Sequence, residues 1–277
     1  MKVSDPAAHP MLEAVADSDD PRLDDYRDVK DPQWLRRRDI FLAEGRVVVL
    51  RLLESTRFRV RSLLLTETAL KSLGNALDGH TFPIYRVDRE VLEGVAGVRF
   101  HQGCVAVAER PAEPSTQEIL LGLGDSAQRL LVLEGVADPD NVGGLFRNAL
   151  AFGVAAVLLG PGCAHPLYRK SIRTSMGATL QVRFASMVDW PKDLSLLRAA
   201  GFSLIALTPS AGALDIRAFG TARPVPERVA LLLGDEGYGL SEDALAACEL
   251  RVRIDMTSEA DSLNVATAAA IALHRLT

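Results

Sequence analysis

The chain has 277 residues, 48% of them hydrophobic and 24% charged, and a formal charge of −5. This is the composition of an ordinary globular protein of one or two domains, and it excludes collagen, coiled coil and wholesale disorder. No apolar run approaches the roughly 18 residues of a membrane span, no basic-then-apolar leader is expected, and Cys104, Cys163 and Cys248 lie too far apart for a disulfide framework or a zinc site, so a cytoplasmic protein without membrane partners or metal is the default.

Charge is uneven along the chain. Residues 1–31 hold nine acids and four bases, a net −5. Residues 1–30 also carry Pro6, Pro10 and Pro21 and show no apolar periodicity, so they read as an acidic flexible tail. Between Leu35 and Ser62 eight Arg face three acids, a local +5. Arg donates in pairs to phosphate. Arg36, Arg37, Arg38, Arg57, Arg59 and Arg61 are therefore candidate nucleic-acid contacts, against the plainer reading of a solvated face.

From Trp34 the apolar pattern sharpens. Phe41, Val47, Val48, Leu52 and Leu53 suggest a helix after Gly45. A strand at 60–65, a helix at 67–75, a strand at 83–87, a turn capped by Asp88 and a strand at 104–108 follow. Residues 31–110 thus read as a small α/β domain. Residues 111–128, with Pro111, Pro114, Gly122 and Gly124, read as a linker with at most one helical turn.

Residues 129–277 read as a second α/β domain. Strands are predicted at 130–136, 154–159, 180–184, 202–207, 229–233 and 250–254. Helices are predicted at 142–152, 166–175, 189–200, 241–247 and 263–276. The apolar runs do not alternate, so the strands are covered on both faces in a mostly parallel sheet.

No phosphate loop, zinc-protease helix or nucleophile elbow is present. The glycines around Gly234, Gly237 and Gly239 do not form the dinucleotide fingerprint and follow a late strand, which disfavours a nicotinamide enzyme. Three segments remain, each at the carboxyl end of a predicted strand, where open α/β sheets bind ligands. The first runs from Asp138 through Asn141, Gly143 and Gly144 to Arg147; Asn141 could be no more than a helix cap. In the second, Leu233 breaks into Gly234, Gly237 and Gly239 around Glu236, more glycine than a tight turn needs. The third runs from Ile254 and Met256 to Ser262, Leu263 and Asn264. Asn264 is a poor helix former at the start of a helix, so another job is expected of it.

In this order and spacing the three segments resemble the signature motifs of the SpoU/TrmH group of SPOUT methyltransferases, which move a methyl group from S-adenosylmethionine to a ribose 2′-oxygen of RNA. Asn141, Gly143 and Arg147 match the first motif. Gly234, Glu236, Gly237, Gly239 and Leu240 match the second, and Ile254, Met256, Ser262, Leu263 and Asn264 the third. The stretch around Arg173 and Gly177 is also similar to the family. Residues 34–108 are similar, more weakly, to the ribosomal-protein-like domain that precedes many of these enzymes. Asp235 and Tyr238 depart mildly from the usual second motif.

The resemblance implies a C-terminal trefoil-knotted sheet flanked by helices, a smaller N-terminal α/β domain for RNA, and a homodimer. It implies a cofactor site at Leu233, Gly234, Glu236, Gly239, Ile254, Met256 and Leu263. It also implies a catalytic set of Asn141, Arg147, Glu236, Ser262 and Asn264, with Arg173 among the RNA contacts. In that reading Arg147 holds a phosphate and stabilises charge on the 2′-oxygen, Glu236 orients Arg147, and Asn141, Ser262 and Asn264 cradle the ribose. Ribosomal RNA is the expected substrate. Transfer RNA, or a non-catalytic RNA-binding module, is the alternative.

Overall fold

The computed structural model describes residues 9–27, 32–96, 102–124, 126, 128–210, 212–235, 237–257, 259 and 262–277. The chain forms two compact units: residues 1–112 together with 167–180, and residues 113–166 together with 181–277.

In the first unit the elements are β1 (Leu12–Ala14), a 3₁₀ turn (Pro21–Tyr26), α1 (Pro32–Arg37), β2 (Ile40–Glu44), α2 (Arg46–Leu53), β3 (Val60–Leu65), α3 (Glu67–Leu73), β4 (Ile84–Arg86), α4 (Arg89–Ala96) and β5 (Cys104–Glu109). The five strands lie in the order β1-β4-β3-β5-β2. β1, β4 and β3 are mutually parallel, and β5 runs antiparallel to β3 and β2. Residues 40–44 are a buried strand that the sequence reading missed, with Phe41 in it rather than leading into a helix. Gly45, at φ +93°, then turns the chain sharply into α2.

The acidic segment is not a tail over residues 9–27. β1 pairs with β4, and Leu23 and Tyr26 are fully buried. The Tyr26 hydroxyl meets Ser62 Oγ at 2.7 Å, and burial pushes the phenol pKa well above its usual value. The acids face outward and pair with Arg22, Arg27, Arg38 and Arg61. Leu12, Val15, Leu23 and Tyr26 stand singly among these charges, so no period announces them.

Tyr26→Phe strands a buried hydroxyl on Ser62, a cost of about 1–3 kcal/mol. A chain lacking residues 1–27 also loses the buried Leu23 and Tyr26 side chains from its core. Both variants should melt at lower temperature than the full chain, the truncation by more; equal melting curves would restore the flexible-tail reading.

The second half of the chain carries α5 (Thr116–Leu121), β6 (Gln128–Leu133), α6 (Pro139–Ala151), β7 (Ala156–Leu159), α7 (Arg169–Thr174), β8 (Arg183–Ser186), α8 (Leu194–Ala199), β9 (Ser203–Leu207), β10 (Leu214–Asp215), β11 (Arg228–Leu233), α9 (Glu242–Ala246), β12 (Leu250–Arg253) and α10 (Val265–Leu276). The expected linker holds α5, whose Ser115 and Glu118 form a capping box and whose Ile119 is buried in the core of the second unit. α7 belongs to the first unit. There Arg169 forms a largely buried ion pair with Glu44 at 2.7 Å, and Arg51 donates to the Met176 carbonyl at 2.6 Å. The strand expected at 180–184 lies at Arg183–Ser186, because Ala178–Leu180 forms a 3₁₀ turn.

Seven strands form the second sheet, in the order β10-β12-β9-β11-β6-β7-β8, and every pairing is parallel. Leu130–Leu133 and Val229–Leu233 are buried throughout, as strands covered on both faces must be. β12, β9, β11 and β6 are consecutive neighbours. Their carboxyl ends therefore present the loops after Arg253, Leu207, Leu233 and Leu133 side by side.

Candidate active site

α6 starts at Asp138, whose side chain accepts from the Asp140 N–H at 2.9 Å. Asp138, not Asn141, is the cap, so Asn141 is free for other use. Asn141, Gly144 and Asn148 share one stripe of the helix at three- and four-residue spacing. All three meet the start of α10. A Cβ on Gly144 would lie 2.9 Å from the Ala266 Cβ, so glycine permits the close approach. Asn148 Nδ2 donates to the Ala266 carbonyl at 2.7 Å.

Asn264 is the N-cap of α10 and not a residue of its first turn. Its Oδ1 accepts from Ala266 N at 3.0 Å and Thr267 N at 3.3 Å, while its Nδ2 donates to Asn141 Oδ1 at 2.7 Å. The other job expected of Asn264 is thus double: it caps one helix and ties it to another. Asn264→Ala should lower stability by roughly 0.5–2 kcal/mol, the scale of a lost cap. Asn264→Asp keeps the capping oxygen and should recover most of that loss in a thermal melt. No recovery would mean that the contact with Asn141, rather than the cap, carries the stability.

The loops after β9, β11 and β12 enclose a cavity of about 330 Å³. Its walls include Leu233, Gly234, Gly239, Ile254, Met256, Ser262 and Leu263, all singled out from the sequence. Thr208, Pro209, Tyr238, Glu242 and Ala268 also line it and were missed. Thr208 and Pro209 sit at the carboxyl end of β9, beside β11, and only the strand order reveals that. The volume falls at the lower end of the usual range for small-molecule sites, about 300–1,000 Å³.

Gly234 forms the tightest point. A Cβ there would fall 2.2 Å from the Gly239 carbonyl carbon. Asp235 holds the following turn, accepting at Oδ1 from Gly237 N (2.7 Å) and Tyr238 N (2.9 Å). Glu134 fastens its far end, accepting from Ser241 N at 2.8 Å and from Trp190 Nε1 at 2.6 Å. Glu134 was not singled out in the sequence, because it precedes the first motif.

The Arg147 side chain is exposed on α6, one turn beyond Gly143, and makes no hydrogen bond or ion pair with any described residue. It does not line the cavity. Glu236, expected in both the catalytic and cofactor sets, lies outside the described residues. Burial raises the Cys163 thiol to about 11 and those of Cys104 and Cys248 to about 12, so none is an ionised nucleophile at neutral pH. Among the described residues no cluster of acids, His and Cys could hold a metal, and no helix is long and apolar enough to cross a membrane.

In the first unit the candidate RNA arginines divide. β5 is antiparallel to β2 and β3, which places Glu109 beside Ile40, near the arginines that open those strands. Arg59 and Arg61 pair with Glu109 at 3.6 and 3.5 Å, and Arg38 and Arg61 with Asp25 at 2.5 and 3.6 Å. Arg57 lies over the Phe58 ring. The side chains of Arg36, Arg37 and Arg173 are exposed and have no ionic or hydrogen-bond partner among the described residues.

A parallel sheet with a glycine-floored, apolar-walled cavity at its carboxyl ends defines an α/β enzyme with a small-molecule site. The particular family follows from comparison with known proteins. Residues 128–274 match the SpoU rRNA methylase family, and residues 42–114 match the RNA 2′-O ribose methyltransferase substrate-binding family. An uncharacterized tRNA/rRNA methyltransferase of Mycobacterium tuberculosis is 43% identical over 270 residues, 96% of this chain and 92% of the relative. A Bacillus subtilis protein named 23S rRNA (guanosine(2553)-2′-O)-methyltransferase is 26% identical over 96% of this chain and 99% of its own length. The crystal structure of an AdoMet-bound rRNA methyltransferase from Sinorhizobium meliloti superposes with a TM-score of 0.79 at 22% identity, covering 96% of this chain and 97% of that one. The chain belongs to the SpoU rRNA methylase family: it is an RNA methyltransferase, and the family's methyl donor is S-adenosylmethionine.

Proposed function

We propose that the chain methylates the ribose 2′-oxygen of a nucleotide in ribosomal RNA. In this reading it acts as a homodimer, and its C-terminal sheet closes in a trefoil knot. The observation that carries the reading is the cavity, because residues of the second and third motifs, distant in sequence, form its walls together. The Bacillus subtilis relative, alike over nearly its whole length, favours ribosomal RNA. Leu150 on α6 and Ile271 on α10 leave apolar surface on a packed helix pair, which suits a second copy. The glycines of the 234–239 loop and the alanines of α10 suit the close threading a knot demands.

The cavity fits the cofactor. Leu233, Ile254, Met256 and Leu263 offer apolar walls, Thr208 and Ser262 offer hydroxyls, and Gly234 leaves the backbone bare. S-adenosylmethionine supplies an electrophilic methyl whose leaving group departs neutral. The protein's task lies with the nucleophile, since a ribose hydroxyl is barely ionised at neutral pH. The Arg147 guanidinium, exposed and engaged by none of the described residues, is available to grip an adjacent phosphate and to stabilise charge growing on the 2′-oxygen. A guanidinium is not deprotonated in proteins, so this group positions and stabilises rather than taking the proton. Glu236 orients Arg147. The Asn141–Asn264 bond fixes α6 against α10, and Ser262 completes the ribose cradle.

The test is transfer of tritiated methyl from S-adenosylmethionine by the full chain to ribosomal or transfer RNA, followed by mapping of 2′-O-methyl groups. Label in ribosomal RNA is expected. Label in transfer RNA alone would shift the substrate. RNA binding without label would favour the non-catalytic module. Binding should also rank the arginines. Each phosphate contact contributes about 0.7–0.9 to the log–log salt slope. Arg36→Ala with Arg37→Ala should flatten the slope by about two such contacts. Arg59→Ala with Arg61→Ala should flatten it less, because Glu109 and Asp25 already engage that pair. An unchanged slope in the first pair would return those residues to a solvated face.

A further inference from the structure

Tyr238 is 99% exposed, more than any other large hydrophobic side chain among the described residues. A ring left wholly in water beside the cavity makes no packing contact that could hold the fold together. Its backbone, by contrast, is tightly held. Asp235 Oδ1 accepts from Gly237 N and Tyr238 N, the Asp235 carbonyl accepts from Gly239 N at 2.9 Å, and Glu134 fixes Ser241 beyond. Gly237 and Gly239 are its neighbours in the chain and add no side chain that could cover the ring.

We infer that Tyr238 is a stacking platform for the base of the nucleotide being methylated. The inference rests on the proposed function. For a ribose 2′-oxygen to reach a methyl group held in the cavity, the ribose must stand at its mouth. The attached base then lies within one ring's length of the ribose, beside the residue that lines that mouth. Proteins read unpaired RNA bases by stacking them on aromatic faces, and every base has such a face. A held backbone lowers the ordering cost of binding. The cofactor itself does not account for the ring. Leu233, Ile254, Met256 and Leu263 already supply its apolar walls, and a ring 99% exposed is not turned against them.

The experiment uses the full chain with ribosomal RNA, and a single-stranded hexaribonucleotide carrying 2-aminopurine as the stacking probe. Tyr238→Ala should weaken RNA binding by roughly 5- to 100-fold, the range for one stacked base, and abolish quenching of the probe. Tyr238→Phe and Tyr238→Trp should keep both, whereas Tyr238→Leu should behave as Tyr238→Ala. The cofactor Kd from calorimetry and the sedimentation behaviour should match wild type in every variant. Unchanged RNA affinity in Tyr238→Ala overturns the inference. So does a parallel loss of cofactor affinity, which assigns the ring to the cofactor, or a change in sedimentation, which assigns it to a partner subunit. A wild-type chain that labels no RNA overturns the functional reading instead, which keeps the two failures apart.

Discussion

Arg147→Ala is expected to reduce methyl transfer by about 10²–10³, the scale for removing one preorganised donor to developing charge. Stability should hardly change. The side chain is exposed, touches no described partner, and Ala is a better helix former than Arg. The cofactor Kd should survive as well, since Arg147 is not among the residues lining the cavity. Arg147→Lys should also fail largely, because a point charge does not reproduce a two-pronged donor. If Arg147 merely tied its helix to an acid such as Glu236, the melting temperature would fall and activity per folded molecule would stay near wild type. Activity and melting measured on one preparation separate the two.

The site was legible where chemistry is local to a motif. Gly234, Ile254, Met256 and Leu263 came from the motifs that resemble the family's, and the structure gathers them around one cavity. Its far wall was not legible. Thr208 and Pro209 carry no motif; they join the site because β9 lies between β12 and β11, and strand order is a long-range property. Caps were confused for a related reason. Asp138 and Asn141 both suit a helix start, as does Asn264, and only geometry shows that Asp138 and Asn264 cap while Asn141 reaches across. In the N-terminal unit, the strand at 60–65 was legible from Val60 and the apolar Leu63–Leu65. β1 was not, because it is held by backbone pairing with β4 and buries few side chains of its own.

Gly234→Ala should be nearly as damaging to cofactor binding as any larger replacement. The added Cβ would stand 2.2 Å from the Gly239 carbonyl carbon, 2.3 Å from Leu240 N and 2.4 Å from the Gly239 oxygen. All three are backbone atoms, so no rotamer change relieves the clash and the 239–240 segment must move. That segment is fastened at Asp235 on one side and through Ser241 to Glu134 on the other. The strain, about 1–3 kcal/mol for overpacking of this kind, therefore falls on the loop that walls the cavity. Cofactor affinity should drop by roughly 5- to 150-fold, at about 1.4 kcal/mol per factor of ten, with only a small fall in melting temperature because the strand core is untouched. Gly239→Ala is the control. No atom lies within 4 Å of its would-be Cβ, but its φ is +72°. It should lose only the cost of a left-handed residue, about 1–2 kcal/mol, chiefly as stability. Calorimetric titration and melting of the two variants side by side test this. Wild-type cofactor affinity in Gly234→Ala would mean that the cofactor does not depend on the bare backbone at that point.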